Sequence, residues 1–247
     1  MTAYARTLLE QPRNENYGAV DTLILATFGS LEARLVKSPK ELAQMPPASA
    51  TTEMNNIKDD WFILVSEKSE SNKIMAICSM TMTMNNNKAG RLHAGGFNDG
   101  FEVVGEKKEA VFLTVAPFEF IRNDKLHRIQ GVLWQAIVRF CVLQNVDYII
   151  GSLAFDSRYP AAHALELSYL YHFCRPHSGL QLRASHGVTM DIMPEEAIKP
   201  DKAFSALPPM LRYFLRIGAK AGENAVVDNT NNETRIFLLF ATKTLNG

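Results

Sequence analysis

The sequence predicts a mixed α/β fold in a single domain that spans residues 1–247. Two observations support this prediction. Two short apolar segments, residues 61–65 and 73–78, are separated by a polar turn, which is typical of a β-hairpin. Residues 110–155 then contain a strand pattern, a helix pattern and a second strand pattern, which indicates a crossover unit. The hydrophobic content of 47% allows a sizeable core.

The N-terminal part of the chain contains few regular patterns. Residues 31–36 alternate apolar and polar side chains, which indicates a half-buried strand. Residues 38–43 begin with a serine, a proline and a nearby glutamate, which is typical of a helix start. Residues 43–60 are rich in Pro, Ala, Thr, Asn and Asp without a period, so we expect a flexible loop there.

The second strand of the predicted hairpin continues through residues 80–84, where methionine and threonine alternate. The methionines then share one face of the strand, and we expect that face to lie in the core because methionine fills irregular gaps. Residues 85–100 include three consecutive asparagines and several glycines, which predicts a long irregular connection.

The crossover unit follows this connection. Residues 110–115 form its first predicted strand. Residues 126–144 carry a wide apolar stripe, which predicts a helix packed on a sheet. Residues 147–155 are almost continuously apolar, as in a central strand that is covered on both faces. The connection between the two strands should be right-handed.

The remaining chain has weaker signals. We expect a helix over residues 161–173 and find no clear pattern over residues 174–202. Residues 204–247 form a predicted helix and strand element, with a helix from Pro208 to about residue 221 and a closing strand at residues 235–240.

Composition excludes several classes of protein. The formal net charge is +0, so the whole molecule should not be attracted to nucleic acid. Cys78, Cys141 and Cys174 are widely spaced in apolar surroundings, which predicts buried thiols in a reducing compartment and no metal site. The N-terminus lacks a signal-peptide core, and no apolar run is long enough to span a bilayer. We therefore expect a cytoplasmic protein, with peripheral contact to the inner membrane as an alternative.

Two common catalytic arrangements find no support in the sequence. Asp156, Ser157 and His163 are residue types of a hydrolase triad, but the chain has no Gly-x-Ser-x-Gly motif. It also has no Walker loop and no dinucleotide-binding glycine motif, so nucleotide chemistry is not expected.

Three segments carry a resemblance to a known family: residues 109–155, the aromatic helix at residues 164–173, and residues 204–240 with their Pro-Pro pair. Together they resemble the ornithine N-acyltransferases that make lyso-ornithine lipid, a branch of the GNAT-like acyltransferases. The resemblance implies a central, mostly antiparallel sheet. It also implies transfer of a 3-hydroxyacyl group from acyl carrier protein to ornithine or a similar amino acid, with acyl-loaded phosphopantetheine as a substrate and no other cofactor.

In this family the start of the crossover helix holds the phosphate of the pantetheine arm, where amides and the helix dipole favour an anion. The corresponding loop here, residues 118–127, contains no glycine. Instead it leads into a basic cluster that would contact the phosphate or the acidic carrier, formed by Arg122, Lys125, His127 and Arg128. The alternative is a helix start whose basic side chains are merely solvated.

N-acyl transfer needs a group that accepts the proton of the amine. Glu109, His172 and Asp228 are the candidates that the resemblance and their chemistry suggest. Each has a structural alternative. Glu109 would be an exposed strand start, His172 the polar edge of a buried aromatic helix, and Asp228 a turn residue before the last strand.

Phe155, Ser168 and Tyr169 stand where the resemblance expects substrate contacts. The methionine face of residues 80–84 then has a second interpretation, as a lining for a long acyl chain. However, Phe112 stands where the family has an arginine, and no helix for the acceptor pocket follows the first strand. These departures support a second hypothesis, an inactive paralogue that acts as a binding or regulatory subunit.

The predicted helix after Pro208 carries Arg212, Arg216 and Lys220 at every fourth position, which places them in one basic stripe. A basic stripe beside a broad apolar face can bind anionic lipid, so we expect these residues to face a membrane surface. The alternative is a core helix whose basic stripe faces water.

Overall fold

The structure, a computed structural model, describes residues 22–36, 61–68, 73–84, 101–104, 110–116, 118–121, 125–176 and 179–243. Its strands in chain order are β1 (Thr22–Phe28), β2 (Leu31–Val36), β3 (Trp61–Glu67), β4 (Lys73–Met84), β5 (Phe101–Val104), β6 (Val111–Val115), β7 (Glu119–Phe120), β8 (Tyr148–Phe155), β9 (Gln181–Ala184), β10 (Val188–Thr189), β11 (Lys220–Asp228) and β12 (Glu233–Ala241). Its helices are α1 (Leu126–Leu143), α2 (Ala164–Phe173), α3 (Pro200–Ala206) and α4 (Pro209–Arg216), with 3-10 turns at Pro160–His163 and Glu195–Ala197. None of these helices is both long and apolar enough to cross a membrane.

The chain divides into two compact units. Unit 1 combines Met1–Met82 with Val115–Val146, and unit 2 combines Thr83–Thr114 with Asp147–Leu245. Both units contain helices and mostly antiparallel strands, so the predicted mixed α/β class is confirmed.

In the described residues of unit 1, helix α1 packs on an antiparallel sheet. β1 pairs with β2, β2 with β3, and β3 with β4, while the short β7 adds to β4. The predicted hairpin is confirmed, because Trp61 lies opposite Met80 and Val65 lies opposite Ala76. One face of β3 packs with Val36 and Ile77, and the other carries Trp61 toward α1. Two covered faces explain why β3 is apolar almost throughout.

The predicted helix over residues 126–144 is also confirmed, as α1. Its apolar stripe packs on β1, β2 and β3, and the ring of Phe140 lies 5.6 Å from that of Trp61. The chain leaves the helix at Asn145, whose φ of 52° is the left-handed conformation that asparagine tolerates well.

Unit 2 contains the antiparallel series β8, β12, β11 and β10, with β6 beside β8. β5 and β9 form a separate two-stranded sheet. β8 has apolar clusters on both faces: Ile150 packs with Phe112 and Phe237, whereas Phe155 packs with Leu167 and Ile236. The predicted central strand is therefore confirmed, and so is the order of strand, helix and strand in β6, α1 and β8.

The C-terminal helix is shorter than predicted. α4 ends at Arg216 because Gly218, with φ of 103°, adopts a backbone that disfavours other residues. The amides of Gly218 and Ala219 bond back to carbonyls of the last helical turn, which closes the helix with a C-terminal capping motif. Lys220 consequently begins β11 instead of extending α4.

Two regions contain structure that the sequence did not indicate. Residues 174–202 include β9, β10, a 3-10 turn and the first residues of α3. β11 was missed because Gly222 interrupts its apolar pattern. A Cβ at that position would lie 3.0 Å from the carbonyl oxygen of Leu182, so the glycine allows close approach of two backbones.

The helix start at residues 38–43, the loop at residues 43–60 and the connection at residues 85–100 lie outside the described residues. The methionine-rich strand is confirmed as the second half of β4, with Met80 fully buried.

Candidate active site

Helix α2 of unit 2 directs two polar side chains, one turn apart, toward residues 190–195. Ser168 is 0% exposed, and its Oγ accepts the amides of Ile192 at 3.1 Å and Met193 at 2.8 Å. The same hydroxyl donates to the carbonyl of Met190 at 3.3 Å. A serine hydroxyl has one hydrogen and two lone pairs, so Ser168 uses its full capacity to fix this segment on α2.

His172 lies one turn after Ser168. Its Nε2 is 3.1 Å from Oδ1 of Asp191 and 3.2 Å from the carbonyl oxygen of Met193. Its Nδ1 is 3.8 Å from Oε2 of Glu195. The imidazole is 15% exposed, and the two carboxylates are 47% and 61% exposed. An imidazole with a carboxylate near each ring nitrogen can take up, hold and release a proton at a surface that a substrate can reach.

Tyr169 and Phe155 face the apolar cluster on the α2 side of the sheet. The ring of Tyr169 stacks on Phe173 at 5.4 Å, and burial together with the neighbouring Cys174 raises the pKa of Tyr169 to about 12. Phe155 is buried, with its ring 4.8 Å from that of His163. Both side chains pack in the core of unit 2, and their contact with a substrate stays a prediction.

Asp228 ends β11 and shapes the turn that leads to β12. Its Oδ1 accepts the amides of Thr230 and Asn231, and its Oδ2 accepts the side-chain amide of Asn231 at 2.7 Å. These hydrogen bonds, the Asn231 amide first, hold the pKa of Asp228 below its usual value. The geometry is that of the predicted turn residue, and a carboxylate with a lowered pKa is a weak proton acceptor.

The basic candidate Lys125 lies in unit 1, directly before α1. Its Nζ is 2.5 Å from Oε2 of Glu67, which is buried and also accepts the hydroxyl of Ser30. Lys125 therefore neutralises a buried carboxylate, a role that the sequence did not suggest.

The other basic candidates differ in their surroundings. His127 and Arg128 are exposed on the first turn of α1, where both can reach a ligand in solution. Arg122 lies outside the described residues, as does the catalytic candidate Glu109. Their contact with a phosphate or with a carrier stays a prediction.

Phe112, which stands in place of an expected arginine, is a core residue of unit 2. It is 1% exposed, and its ring stacks on Tyr148 with centroids 5.3 Å apart. Val226 and Phe237 belong to the same cluster. An arginine here would need a partner for its charge inside an apolar core.

The proposed membrane-facing residues do not form one helical stripe. Arg212 is half-buried and Arg216 exposed on α4, with the Arg216 guanidinium 5.1 Å from the centre of the Phe204 ring. The predicted helical stripe is wrong for Lys220, because α4 ends at Arg216 and Lys220 is exposed at the start of β11. Contact of these cations with a membrane stays a prediction. Leu211 anchors α4 in the core of unit 2 and leaves Tyr213 45% exposed.

Sequence reasoning missed three groups of the site: the carboxylates of Asp191 and Glu195, and the carbonyl of Met193. They lie in a segment without periodicity, and a backbone carbonyl carries no sequence signal. The sign in the sequence was the pair Ser168 and His172, spaced by one turn on a helix of mostly apolar and aromatic residues.

Cys78, Cys141 and Cys174 are buried and form no disulfide, which confirms the predicted buried thiols. Burial raises the pKa of Cys174 to about 11 and raises that of Cys141 as well, so both thiols stay protonated. Among the described residues, no three metal-ligating side chains converge.

The chain is similar to proteins named L-ornithine N(alpha)-acyltransferase. It is 37% identical over 110 residues to that of Brucella abortus, which covers 44% of this chain and 39% of the relative. It is 35% identical over 118 residues to that of Rhizobium meliloti, which covers 47% of this chain and 40% of the relative. The match thus spans about two fifths of the length of these relatives.

No protein-family model matches the chain. Among solved structures, Arabidopsis thaliana NAA60 in complex with a bisubstrate analogue is 8% identical with a TM-score of 0.36, covering 74% of this chain and 76% of that one. A TM-score this low supports no inference about function.

Proposed function

We propose that the protein is a GNAT-like N-acyltransferase that moves a fatty acyl group from acyl carrier protein to the α-amine of ornithine or a similar amino acid. A 3-hydroxyacyl group is the proposed donor. The observation that carries the proposal is the similarity, at 37% identity over 110 residues, to a protein named for this kind of transfer. Four such relatives match, down to 30% identity over 114 residues.

Amide formation from a thioester needs a positioned amine, a proton acceptor and stabilisation of the oxyanion. No metal or redox cofactor enters this proposal. The acyl-loaded phosphopantetheine of the carrier is itself the substrate.

His172 is the proposed proton acceptor in this reaction. Its ring lies at the surface of α2 and has Asp191 and Glu195 beside it, which would stabilise the imidazolium that forms. The amine nitrogen bonds to the thioester carbonyl carbon, the C–S bond breaks, and the nitrogen gives its proton to the imidazole. The leaving thiolate then takes up a proton. Asp228 is not part of the proposed chemistry, because its hydrogen bonds lower its pKa and make the carboxylate a weak proton acceptor.

The proposed donor site is the basic cluster around the start of α1. Arg128 and His127 are its exposed described members, whereas Lys125 already pairs with Glu67. Acyl carrier protein is acidic, so exposed cations at this helix start would attract it. Because the proposed product is a lipid, we also propose that the enzyme acts in the cytoplasm at the inner membrane.

The test is expression in a bacterial host that lacks ornithine lipid, followed by mass spectrometry of lipid extracts. We expect a new N-acylated amino-acid lipid, and its loss in His172→Gln. His163→Gln is the matched control, since His163 is equally 15% exposed in the same unit. Extracts identical to the empty-vector control, with soluble protein confirmed, would exclude the proposed catalysis.

One observation favours a second candidate function, that of a noncatalytic paralogue. Phe112 replaces an arginine that the family pattern expects, and it fills the core instead of facing a substrate. A protein of this kind would bind acyl carrier protein without consuming the thioester. Purified protein incubated with 3-hydroxyacyl carrier protein and ornithine separates the two functions, because only the enzyme releases free carrier thiol.

A further inference from the structure

The hydrogen bonds of His172 determine which ring nitrogen carries its proton. Nε2 lies 3.2 Å from the carbonyl oxygen of Met193 and 3.1 Å from Oδ1 of Asp191. A carbonyl oxygen can only accept, so Nε2 must carry the hydrogen that it shares between these two acceptors. In the neutral ring the lone pair is then on Nδ1. Glu195, at 3.8 Å, is too far from Nδ1 for a hydrogen bond.

We propose that Asp191 is a positioning residue for acyl transfer, which fixes His172 in the tautomer whose Nδ1 accepts the proton of the amine. This inference rests on the proposed function. In the step itself, the amine nitrogen forms a bond to the thioester carbonyl carbon and loses its proton to Nδ1. The C–S bond breaks, and the thiolate takes the proton back from the imidazolium or from water.

The partners of Nε2 are held in place independently of His172. Ser168 accepts the amides of Ile192 and Met193 and donates to the carbonyl of Met190, so the backbone on both sides of Asp191 is fixed to α2. The acceptors are therefore oriented before any substrate arrives, and the ring loses little freedom when it acts.

Nδ1 faces a different environment. Glu195 is close enough to pair with the ring once Nδ1 gains a proton, and its carboxylate is 61% exposed. An amine that approaches from solvent would therefore meet a proton acceptor with a carboxylate beside it. The two carboxylates thus differ in role: Asp191 orients the ring, and Glu195 stabilises the charge that develops on it.

A second histidine in unit 2 offers a matched control. Nε2 of His163 lies 3.3 Å from Oδ1 of Asp156, and both histidine side chains are 15% exposed. The Asp156 side chain is 97% exposed, and it has no part in the proposed transfer.

The test combines nitrogen-15 NMR of histidine-labelled protein with steady-state kinetics on 3-hydroxyacyl carrier protein and ornithine. We expect the Nε2–H tautomer for His172 in the wild type. In Asp191→Ala only the Met193 carbonyl still accepts from Nε2, so we expect a larger share of the Nδ1–H tautomer. In that variant kcat should fall about 10-fold or more, a part of the roughly 10²–10⁴-fold that acid–base catalysis contributes, with KM little changed. Asp191→Glu should recover part of the loss, and Asp156→Ala should leave both readouts unchanged.

An Nδ1–H tautomer in the wild type would overturn the inference, as would a wild-type kcat in Asp191→Ala. If the wild type shows the Nε2–H tautomer but acylates no amine, the proposed function fails and the role of Asp191 in transfer fails with it. The NMR result then still establishes the tautomer, so the two failures remain distinguishable.

Discussion

Nζ of Lys125 lies 2.5 Å from Oε2 of Glu67. This ion pair links the residue before α1 to the end of β3 within unit 1. The Glu67 carboxylate is only 4% exposed, and the Lys125 cation and the hydroxyl of Ser30 both stabilise its charge. Lys125, which was expected to bind a phosphate, therefore also contributes to the stability of the fold.

The first prediction concerns this ion pair. Lys125→Met should destabilise the fold, by up to about 3 kcal/mol, because it removes the Lys125 cation from a buried carboxylate. Arg128→Ala, an exposed change on the neighbouring helical turn, should stay within about 0.5 kcal/mol of wild type. Urea unfolding followed by circular dichroism measures both. Equal midpoints for the two variants would show that Glu67 does not need Lys125.

The same pair decides how the donor site is tested. Changing Lys125 would mix a folding defect with a binding defect, so Arg128→Ala is the cleaner variant. If Arg128 contacts the pantetheine phosphate or the carrier, its loss should weaken carrier binding by roughly 1.5–3 kcal/mol. Titration calorimetry with acyl carrier protein measures this change. Unchanged affinity would mean that the start of α1 is only solvated.

Sequence patterns predict helices and strands, but they do not predict the partners of single side chains such as Lys125 and His172. The helix α1 follows from its periodic apolar stripe, and the strands at residues 61–65 and 147–155 follow from nearly continuous apolar runs. The strand at residues 31–36 was also predicted, but as half-buried, whereas every residue of β2 except Arg34 is buried. His172 was a candidate because imidazole suits proton transfer. Its partners were not predictable, because Asp191 and Met193 come from an irregular segment that only tertiary contacts with α2 hold in place.

Phe112 stands where the family pattern has an arginine, and substitutions at this position test whether the fold tolerates one. Phe112→Ala should cost about 3–5 kcal/mol, since it removes a large buried ring that stacks on Tyr148. Phe112→Leu should cost less because most of the volume remains. Phe112→Arg should be at least as damaging as the alanine change, since it buries a charge in an apolar cluster. Thermal unfolding of the three variants tests this order, and a stable, more active Phe112→Arg would contradict it.

The lowered pKa of Asp228 predicts how the stability of the protein depends on pH. Its pKa in the folded protein is lower than the ordinary value of 3.8, so the folded state binds fewer protons there than the unfolded state. The stabilisation from its hydrogen bonds is therefore complete above about pH 4 and is lost as pH falls through the lowered pKa. Asp228→Asn should be less stable than wild type at pH 7 by about 1 kcal/mol. The difference should shrink below pH 4 in urea titrations, and a constant difference would contradict the role of the carboxylate.

The last prediction separates the cations near the C-terminus. Arg212 and Arg216 lie on α4 with the exposed Tyr213 between them in sequence, whereas Lys220 lies on β11. If α4 contacts an anionic membrane, each cation near the surface contributes about 1 kcal/mol, so replacing both arginines with glutamine should weaken binding roughly 30-fold. Lys220→Gln is the matched control and should change binding much less.

Co-sedimentation with anionic and neutral vesicles at low and high salt measures the effect. Binding should require anionic lipid and weaken with salt, because screened charges attract less. If the wild type, the double arginine variant and Lys220→Gln sediment equally with both lipids, the arginines of α4 do not bind a membrane.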